Sequence, residues 1–307
     1  MLKPRALAPG DRLAIVAPAS PFTREEFDQG LAEIRRLGFV PVYDDSVFAR
    51  RRYVAGAPEI RAAAIHDAWR DPGVAGVIAV RGGYGSAQVL PLLDRELARR
   101  TGKPFIGYSD LTSLLTWLTL GCELIAFHGP MLAGRLGRGP DGYDQASFLK
   151  ALCDRTPMGE LACSGVESLR PGEVSGMLLG GTLTQLLASL STPFAFAPPA
   201  GYVLFLDEVG ERPYRLDRMV TQLRQTGLLA RAAAIVIGEL PKCDEPSGDP
   251  TARAVMADLF HDFPGPVVIG FPSGHTIGAA TTLPFGVRCR VIADQRPRLV
   301  IEEAAVA

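Results

Sequence analysis

The chain is poor in the residues that build metal sites and disulfide frameworks. Among its 307 residues are only four histidines and five cysteines, an odd number with no C-x-x-C pair. This usage predicts reduced thiols and argues against a structural zinc site. We therefore expect no metal and no disulfide. The cysteines are Cys122, Cys153, Cys163, Cys243 and Cys289.

The sequence also lacks an excess of either charge and has no long hydrophobic run. The 32 Lys and Arg residues against 33 Asp and Glu residues give a formal net charge of −1. No nucleic-acid or membrane-surface partner is expected from such a balance. Glycine, threonine, serine or proline interrupts the apolar stretches before they reach bilayer-spanning length, and the N-terminus shows no signal-peptide core. We predict a cytoplasmic protein without a membrane segment.

The first half of the chain alternates short apolar runs with amphipathic stretches. This alternation is typical of βα units on a mostly parallel sheet. It predicts an α/β fold whose N-terminal lobe is flavodoxin-like or Rossmann-like. Strands are predicted at residues 13–16, 40–43, 77–80 and 105–108, and helices after a capping box at Thr23, over residues 59–70, from the glycine-rich turn toward Leu93, and after Ser109.

The periodicity is lost over residues 136–171, which are rich in Gly, Pro, Asp and Arg. We predict an N-terminal lobe over residues 1–135, a connecting segment over 136–171 and a C-terminal lobe over 172–307. The second lobe is predicted to be α/β with a β-rich, partly barrel-like sheet, ending in a hairpin over residues 286–303.

Ser109 stands where a predicted strand turns into a helix. Open parallel sheets bind ligands at the carboxyl ends of their strands, so this hydroxyl is placed for nucleophilic attack. The backbone N–H of Asp110 would then face an oxyanion. The alternative is that both residues merely cap the helix.

A nucleophilic serine needs a general base, and the four histidines limit the choice. His66 and His261 lie within or at the end of predicted helices, where structural roles are ordinary. His128 follows a strand and could line a cleft. His275 lies in a loop of small residues after the strand at 267–270 and is the better candidate, with a plain surface histidine as the alternative.

A carboxylate is needed to orient the base, and Asp207 and Glu208 directly follow the apolar strand at residues 202–206. Neighbouring residues of a strand point to opposite faces, so only one of them can reach His275. The alternative is a charge pair at the start of the next helix.

The glycine-rich turn at residues 81–85 lets the backbone approach a ligand and offers N–H donors such as that of Gly83. It lacks the full G-x-G-x-x-G pattern and the Lys-Ser/Thr of a phosphate-binding loop, so no nucleotide cofactor is expected. A plain tight turn is the alternative.

Together these segments resemble the LD-carboxypeptidase family of serine peptidases over nearly the whole chain. Any one match is weak, but their common order makes chance a poor explanation. The matching segments are Val16-Ala17-Pro18-Ala19-Ser20, Arg81-Gly82-Gly83-Tyr84-Gly85, Ile106-Gly107-Tyr108-Ser109-Asp110, His128-Gly129-Pro130, Gly180-Gly181-Thr182-Leu183-Thr184, residues 206–218, and Ser273-Gly274-His275.

The resemblance implies a Ser-Glu-His triad with Ser109 as nucleophile and His275 as base, and oxyanion donors at the backbone of Asp110 and Gly83. Where the family usually reads Glu-Asp-Val-Gly-Glu, this chain reads Asp-Glu-Val-Gly-Glu. The register therefore assigns the acid to Asp207, with Glu208 in reserve.

A second departure is a threonine, Thr182, where the family commonly carries Asn. A hydroxyl there replaces an amide, which affects hydrogen bonds to substrate or between the lobes. We expect the change to leave the triad untouched.

The function implied is that of a cytoplasmic, homodimeric enzyme of cell-wall recycling, which removes the terminal D-alanine from muropeptide tetrapeptides without metal or cofactor. A second class in the family cleaves peptide-nucleotide antibiotics such as microcin C and is expected to stack an aromatic ring on the nucleobase. For this the connecting segment offers only Tyr143 and Phe148. A non-catalytic α/β protein that binds a sugar or nucleotide at the glycine-rich turn is the alternative from another class.

Overall fold

The structure is a computed structural model that describes residues 1–161 and 164–307. Within these ranges Cys122, Cys153, Cys243 and Cys289 are free thiols. The prediction for Cys163 lies outside the described residues. No helix in the described part of the chain is both long and apolar enough to cross a bilayer.

The N-terminal sheet is built from six strands. Five of them are parallel and lie in the order β2-β1-β3-β4-β5, the flavodoxin-like order, and β12 is added antiparallel to β5 from far along the chain. The predicted α/β class with a parallel N-terminal sheet is confirmed. The strands are β1 (Arg12–Val16), β2 (Val40–Val42), β3 (Val74–Ala79), β4 (Phe105–Gly107), β5 (Ala126–His128) and β12 (Leu283–Phe285).

Helices cover this sheet, which explains why every residue of β3 is buried. The first helix begins with the predicted capping box, in which the Thr23 hydroxyl and the Glu26 carboxylate satisfy each other's backbone N–H groups. The helices of this half are α1 (Arg24–Arg36), α2 (Pro58–Arg70), α3 (Arg95–Thr101), α4 (Thr112–Thr116), continued by a π-helical turn (Trp117–Gly121), and α5 (Gln145–Cys153).

The prediction of a helix between the glycine-rich turn and Leu93 is wrong. Only two 3₁₀ turns form there, Ser86–Gln88 and Leu90–Leu92. Pro91 explains the difference, because it has no N–H to donate and disfavours helical backbone in the residue before it.

The second sheet has eight strands in the order β6-β14-β13-β8-β9-β10-β11-β7, with β8 to β11 parallel. The sheet curls back on itself, since the Ser168 hydroxyl on the edge strand β7 donates to the Asp294 carbonyl just after β13, the third strand from the other edge. Within the described residues it does not close into a barrel. The strands are β6 (Gly159–Leu161), β7 (Glu167–Arg170), β8 (Gly172–Thr182), β9 (Tyr202–Asp207), β10 (Ala232–Gly238), β11 (Val267–Phe271), β13 (Arg288–Ala293) and β14 (Arg298–Ile301).

The predicted terminal hairpin corresponds to the antiparallel pair of β13 and β14. The apolar stretch after residue 176 is a strand that runs into a helix. The helices of this half are α6 (Leu183–Ser189), α7 (Pro213–Gln225), α8 (Leu228–Arg231) and α9 (Ala252–Leu259). The carboxyl ends of β4 and β5 in one sheet and of β8 and β9 in the other carry the polar side chains described next.

Candidate active site

Ser109 lies in a strained turn two residues after β4. Its backbone adopts φ = +64°, in the left-handed region that residues with a side chain rarely occupy. Ser109 is the first residue of a 3₁₀ turn (Ser109–Leu111) that leads into α4. Strain of this kind persists only where the surroundings hold it, and it raises the serine hydroxyl clear of the strand.

His275 links the Ser109 hydroxyl to a carboxylate. The Nδ1 atom of His275 lies 2.7 Å from Asp207 Oδ2, and Nε2 lies 3.1 Å from Ser109 Oγ. Because a carboxylate only accepts hydrogen bonds, Nδ1 carries the proton and Nε2 presents a lone pair to the serine hydroxyl. The structure thus brings together three residues that are far apart in sequence.

Asp207 ends β9 and is fully buried. Burial alone would raise the pKa of Asp207, but the charge and hydrogen bonds of His275 outweigh burial and lower this pKa to about 2. The carboxylate also accepts the backbone N–H of His275 at 2.8 Å. A single oxygen, Oδ2, therefore fixes both the ring and the backbone of the histidine.

The His275 loop can come this close to Asp207 because Gly274 has no side chain. Gly274 has φ = +70°, and a Cβ added there would stand 2.2 Å from Asp207 Oδ2 and 2.7 Å from His128 Cε1. A larger residue would push the loop away from the carboxylate.

The pKa of His275 is raised above that of an ordinary histidine. Burial lowers this pKa, but the charge and hydrogen bond of Asp207 raise it by more. The side chain of His275 is 15% exposed, so solvent and substrate can reach one edge of the ring.

Glu208 points away from His275. Its carboxylate accepts the backbone N–H of Thr184 at 2.9 Å and the Thr184 hydroxyl at 2.6 Å, and burial raises its pKa. Asp207 and Glu208 occupy opposite faces of the strand end, as the alternation of a β-strand requires.

Thr182 contacts Asp207, which the sequence did not reveal. Its hydroxyl donates to Asp207 Oδ1 at 2.8 Å, and strand register pairs the two residues across β8 and β9. The expectation that Thr182 leaves the triad untouched is therefore wrong. The threonine in place of the usual Asn was the available signal, but only the strand register shows what it contacts.

The glycine-rich turn closes over Ser109. A Cβ added at Gly82 would stand 2.9 Å from Ser109 Cβ, and Gly83 follows with φ = +96°. The Asp110 carboxylate accepts the Ser86 N–H at 2.7 Å, and the Ser86 hydroxyl donates to the Asp110 carbonyl, so the turn and the serine loop are tied together. The two predicted oxyanion donors lie on these two tied segments.

The other histidines do not contact Ser109. His128 is fully buried at the end of β5, where its Nδ1 faces Ser273 Oγ at 3.2 Å and burial lowers its pKa to about 4. The Nε2 atom of His66 accepts the Asp94 N–H, and Nδ1 of His261 lies 2.6 Å from the Asp258 carbonyl.

Comparison with protein families gives matches in both halves of the chain. A model described as the LD-carboxypeptidase N-terminal domain matches residues 13–129, and one described as the LD-carboxypeptidase C-terminal domain matches residues 175–291. The murein tetrapeptide carboxypeptidase of Pseudomonas aeruginosa is 31% identical over 275 residues, which cover 86% of this chain and 88% of that protein.

Solved structures show the same architecture. The crystal structure of muramoyltetrapeptide carboxypeptidase from Oxalobacter formigenes matches with a TM-score of 0.84 and 28% identity over 95% of this chain and 99% of that chain. The microcin C7 self-immunity protein MccF, solved with aspartyl sulfamoyl adenosine, matches with a TM-score of 0.92 over 100% of both chains. Its identity of 24% supports a shared fold and nothing finer.

Proposed function

The chain belongs to the LD-carboxypeptidase family of hydrolases, and from this we propose that it is a serine carboxypeptidase that removes the terminal D-alanine from muropeptide tetrapeptides. The observation that carries the proposal is the hydrogen-bonded line from Ser109 through His275 to the buried Asp207. This is the arrangement that activates a serine hydroxyl for attack on an amide carbonyl.

In the proposed reaction, Nε2 of His275 takes the proton as Ser109 Oγ attacks the carbonyl carbon. Asp207 stabilises the imidazolium that forms, and the backbone N–H groups of Asp110 and Gly83 hold the oxyanion. His275 then gives its proton to the leaving amine, and D-alanine departs. Water, deprotonated by the same imidazole, releases the shortened peptide from the acyl-enzyme.

The substrate class rests on the relatives rather than on the triad. A related protein at 31% identity is named a murein tetrapeptide carboxypeptidase, whereas the MccF structure with aspartyl sulfamoyl adenosine supports the fold alone. In addition, Tyr143 and Phe148 are 1% and 0% exposed, so neither ring is free to stack on a nucleobase. Cleavage of a peptide-nucleotide such as microcin C is therefore our second candidate.

Side-by-side assays separate the two candidates. We expect release of D-alanine from a muropeptide tetrapeptide with a terminal L,D bond, and much slower turnover of an aminoacyl sulfamoyl adenosine. The measurement is mass spectrometry of the products, with the L,L-linked tetrapeptide as control. Preferred cleavage of the nucleotide conjugate would replace the first candidate by the second. No turnover of either compound would remove both.

We further propose that the protein acts in the cytoplasm, where recycled muropeptides are processed, as a homodimer. Both points follow from the family resemblance and from the substrate class. Light scattering on the purified protein is expected to give twice the 32.8 kDa chain mass. A monomer at micromolar concentration would contradict the proposed assembly while leaving the chemistry intact.

A further inference from the structure

A buried arginine from the N-terminal half grips the loop that carries His275. The guanidinium of Arg135 donates its hydrogen bonds to backbone carbonyls, and the residue is only 8% exposed. Its Nη2 donates to the carbonyls of Gly274 at 3.2 Å and Thr276 at 2.6 Å, and its Nη1 donates to that of Gly278 at 2.7 Å. Gly274 and Thr276 are the two neighbours of His275 in the chain.

We propose that Arg135 is a positioning residue, which holds His275 against Ser109 from the opposite half of the chain and whose positive charge opposes protonation of the imidazole. This inference rests on the proposed function of His275 as the general base.

The anchor of Arg135 is firm enough for such a role. Two residues that precede it are fixed to the end of β3, since the N–H of Leu132 donates to the Ala79 carbonyl at 3.1 Å and that of Ala133 to the Val80 carbonyl at 2.8 Å. The guanidinium also donates to the Gly142 carbonyl at 3.2 Å. The same rigid strand carries the glycine-rich turn that covers Ser109. Arg135 therefore connects the His275 loop, through hydrogen bonds, to the part of the fold that covers Ser109.

The fork geometry of arginine matters here. Two carbonyls that flank one residue are held by the same guanidinium nitrogen, which fixes the backbone on both sides of His275. Misplacing a catalytic group by about 1 Å can cost about 100-fold in rate. A lysine would retain the charge but, as a compact ammonium on a flexible stem, could not reproduce the fork.

The charge of Arg135 acts on His275 as well. A guanidinium bonded to neutral carbonyls is not neutralised by those partners, and it opposes protonation of a nearby imidazole. Around His275, Asp207 and Glu208 raise the pKa of the imidazole, while burial and Arg135 lower it.

Two further titratable groups lie against the same ring. Tyr108 meets the imidazole of His275 edge-on, with ring centroids 5.2 Å apart, and burial raises the pKa of its hydroxyl. His128 lies near Asp207 and is neutral at working pH, since burial lowers its pKa to about 4. Arg135 is thus a positive charge that, together with burial, opposes the effect of these acids on the base.

The test compares Arg135→Gln, which removes charge and fork, with Arg135→Lys, which removes only the fork. For Arg135→Gln we expect kcat to fall about 10- to 100-fold. The acid limb of kcat/KM should move to higher pH, because the imidazole gains protons more easily once the positive charge is removed. For Arg135→Lys we expect a similar loss of kcat with the midpoint near that of the parent. Arg138→Gln is the matched control, an exposed arginine three residues away whose side chain donates to the Asp141 carbonyl at 3.3 Å.

The pKa of His275 is also measured without any substrate, by NMR titration of the imidazole, with His275→Gln assigning the signal. This readout separates the inference from the proposed function, since inactivity toward every peptide would leave the titration interpretable. A higher midpoint in Arg135→Gln, absent from Arg135→Lys and Arg138→Gln, supports the role. An unmoved midpoint in a folded Arg135→Gln protein overturns it. If Arg135→Gln does not fold, Arg135→Lys decides, and a parental kcat in that variant overturns the inference.

Discussion

Ser109→Ala is expected to lower kcat for the muropeptide tetrapeptide by roughly 10⁴- to 10⁶-fold, because removal of the nucleophile leaves only substrate binding and oxyanion stabilisation. The remaining turnover would come from direct attack by water. Substrate affinity should change little, since Ser109 Oγ is expected to contact the carbonyl only as the bond forms. The measurement is D-alanine release under saturating substrate, with calorimetry for binding.

Ser113→Ala is the matched control for this variant. Ser113 lies one helical turn farther along, in α4, where its hydroxyl donates to Gln185 Oε1 at 3.2 Å. Its loss should reduce stability slightly and leave kcat within a few-fold of the parent. If Ser109→Ala kept parental turnover while remaining folded, the proposed serine mechanism would be wrong. Mass spectrometry of the quenched parent enzyme should in turn show an acyl adduct on the peptide that contains Ser109.

The local pattern of the sequence predicted the first sheet and the turn at Ser109 well. Strand and helix periods are encoded residue by residue, so β1, β4 and the capping box at Thr23 could be read directly. The helix predicted after the glycine-rich turn does not form, because Pro91 stands within that segment. The pyrrolidine ring of Pro91, which leaves no backbone N–H to donate, is enough to prevent a continuous helix there.

The choice between Asp207 and Glu208 was harder to predict, because it depends on which face of β9 meets the histidine loop. Alternation shows that only one can do so, but which one depends on how the loop after β11 folds over the end of β9. Glu208 lies against Thr184, whereas Asp207 meets His275. These contacts join the end of β9 to a helix and a loop that are distant in sequence, and no local periodicity encodes them.

The Thr182 contact illustrates the same limit. Thr182 pairs with Asp207 only because β8 lies parallel to β9 in one particular register. A shift of one residue would turn the hydroxyl to the other face of the sheet. The Arg135 contacts with the His275 loop are equally non-local, since they join residues 139 to 143 positions apart.

Asp207→Asn is expected to lower kcat by about 10²- to 10⁴-fold, chiefly because a neutral amide cannot stabilise the imidazolium that forms when Ser109 loses its proton. The amide oxygen can still accept from Nδ1 of His275, with the amide nitrogen turned toward the Thr182 hydroxyl, which can accept as well as donate. The tautomer of His275 can therefore survive the substitution. Adding Thr182→Val removes the group that selects this orientation, and the double variant should lose more activity than Asp207→Asn.

The pH dependence of kcat/KM in Asp207→Asn should change in a definite direction. Asp207 raises the pKa of His275, so Asp207→Asn should lower that pKa and move the acid limb of kcat/KM to lower pH. Removal of Arg135 should move the same limb in the opposite direction. Glu208→Gln, one residue along the same strand end, should cost far less in kcat because Glu208 lies against Thr184. An acid limb that rises in Asp207→Asn, or a larger loss of kcat in Glu208→Gln, would show that the carboxylate beside His275 is not the one that governs it.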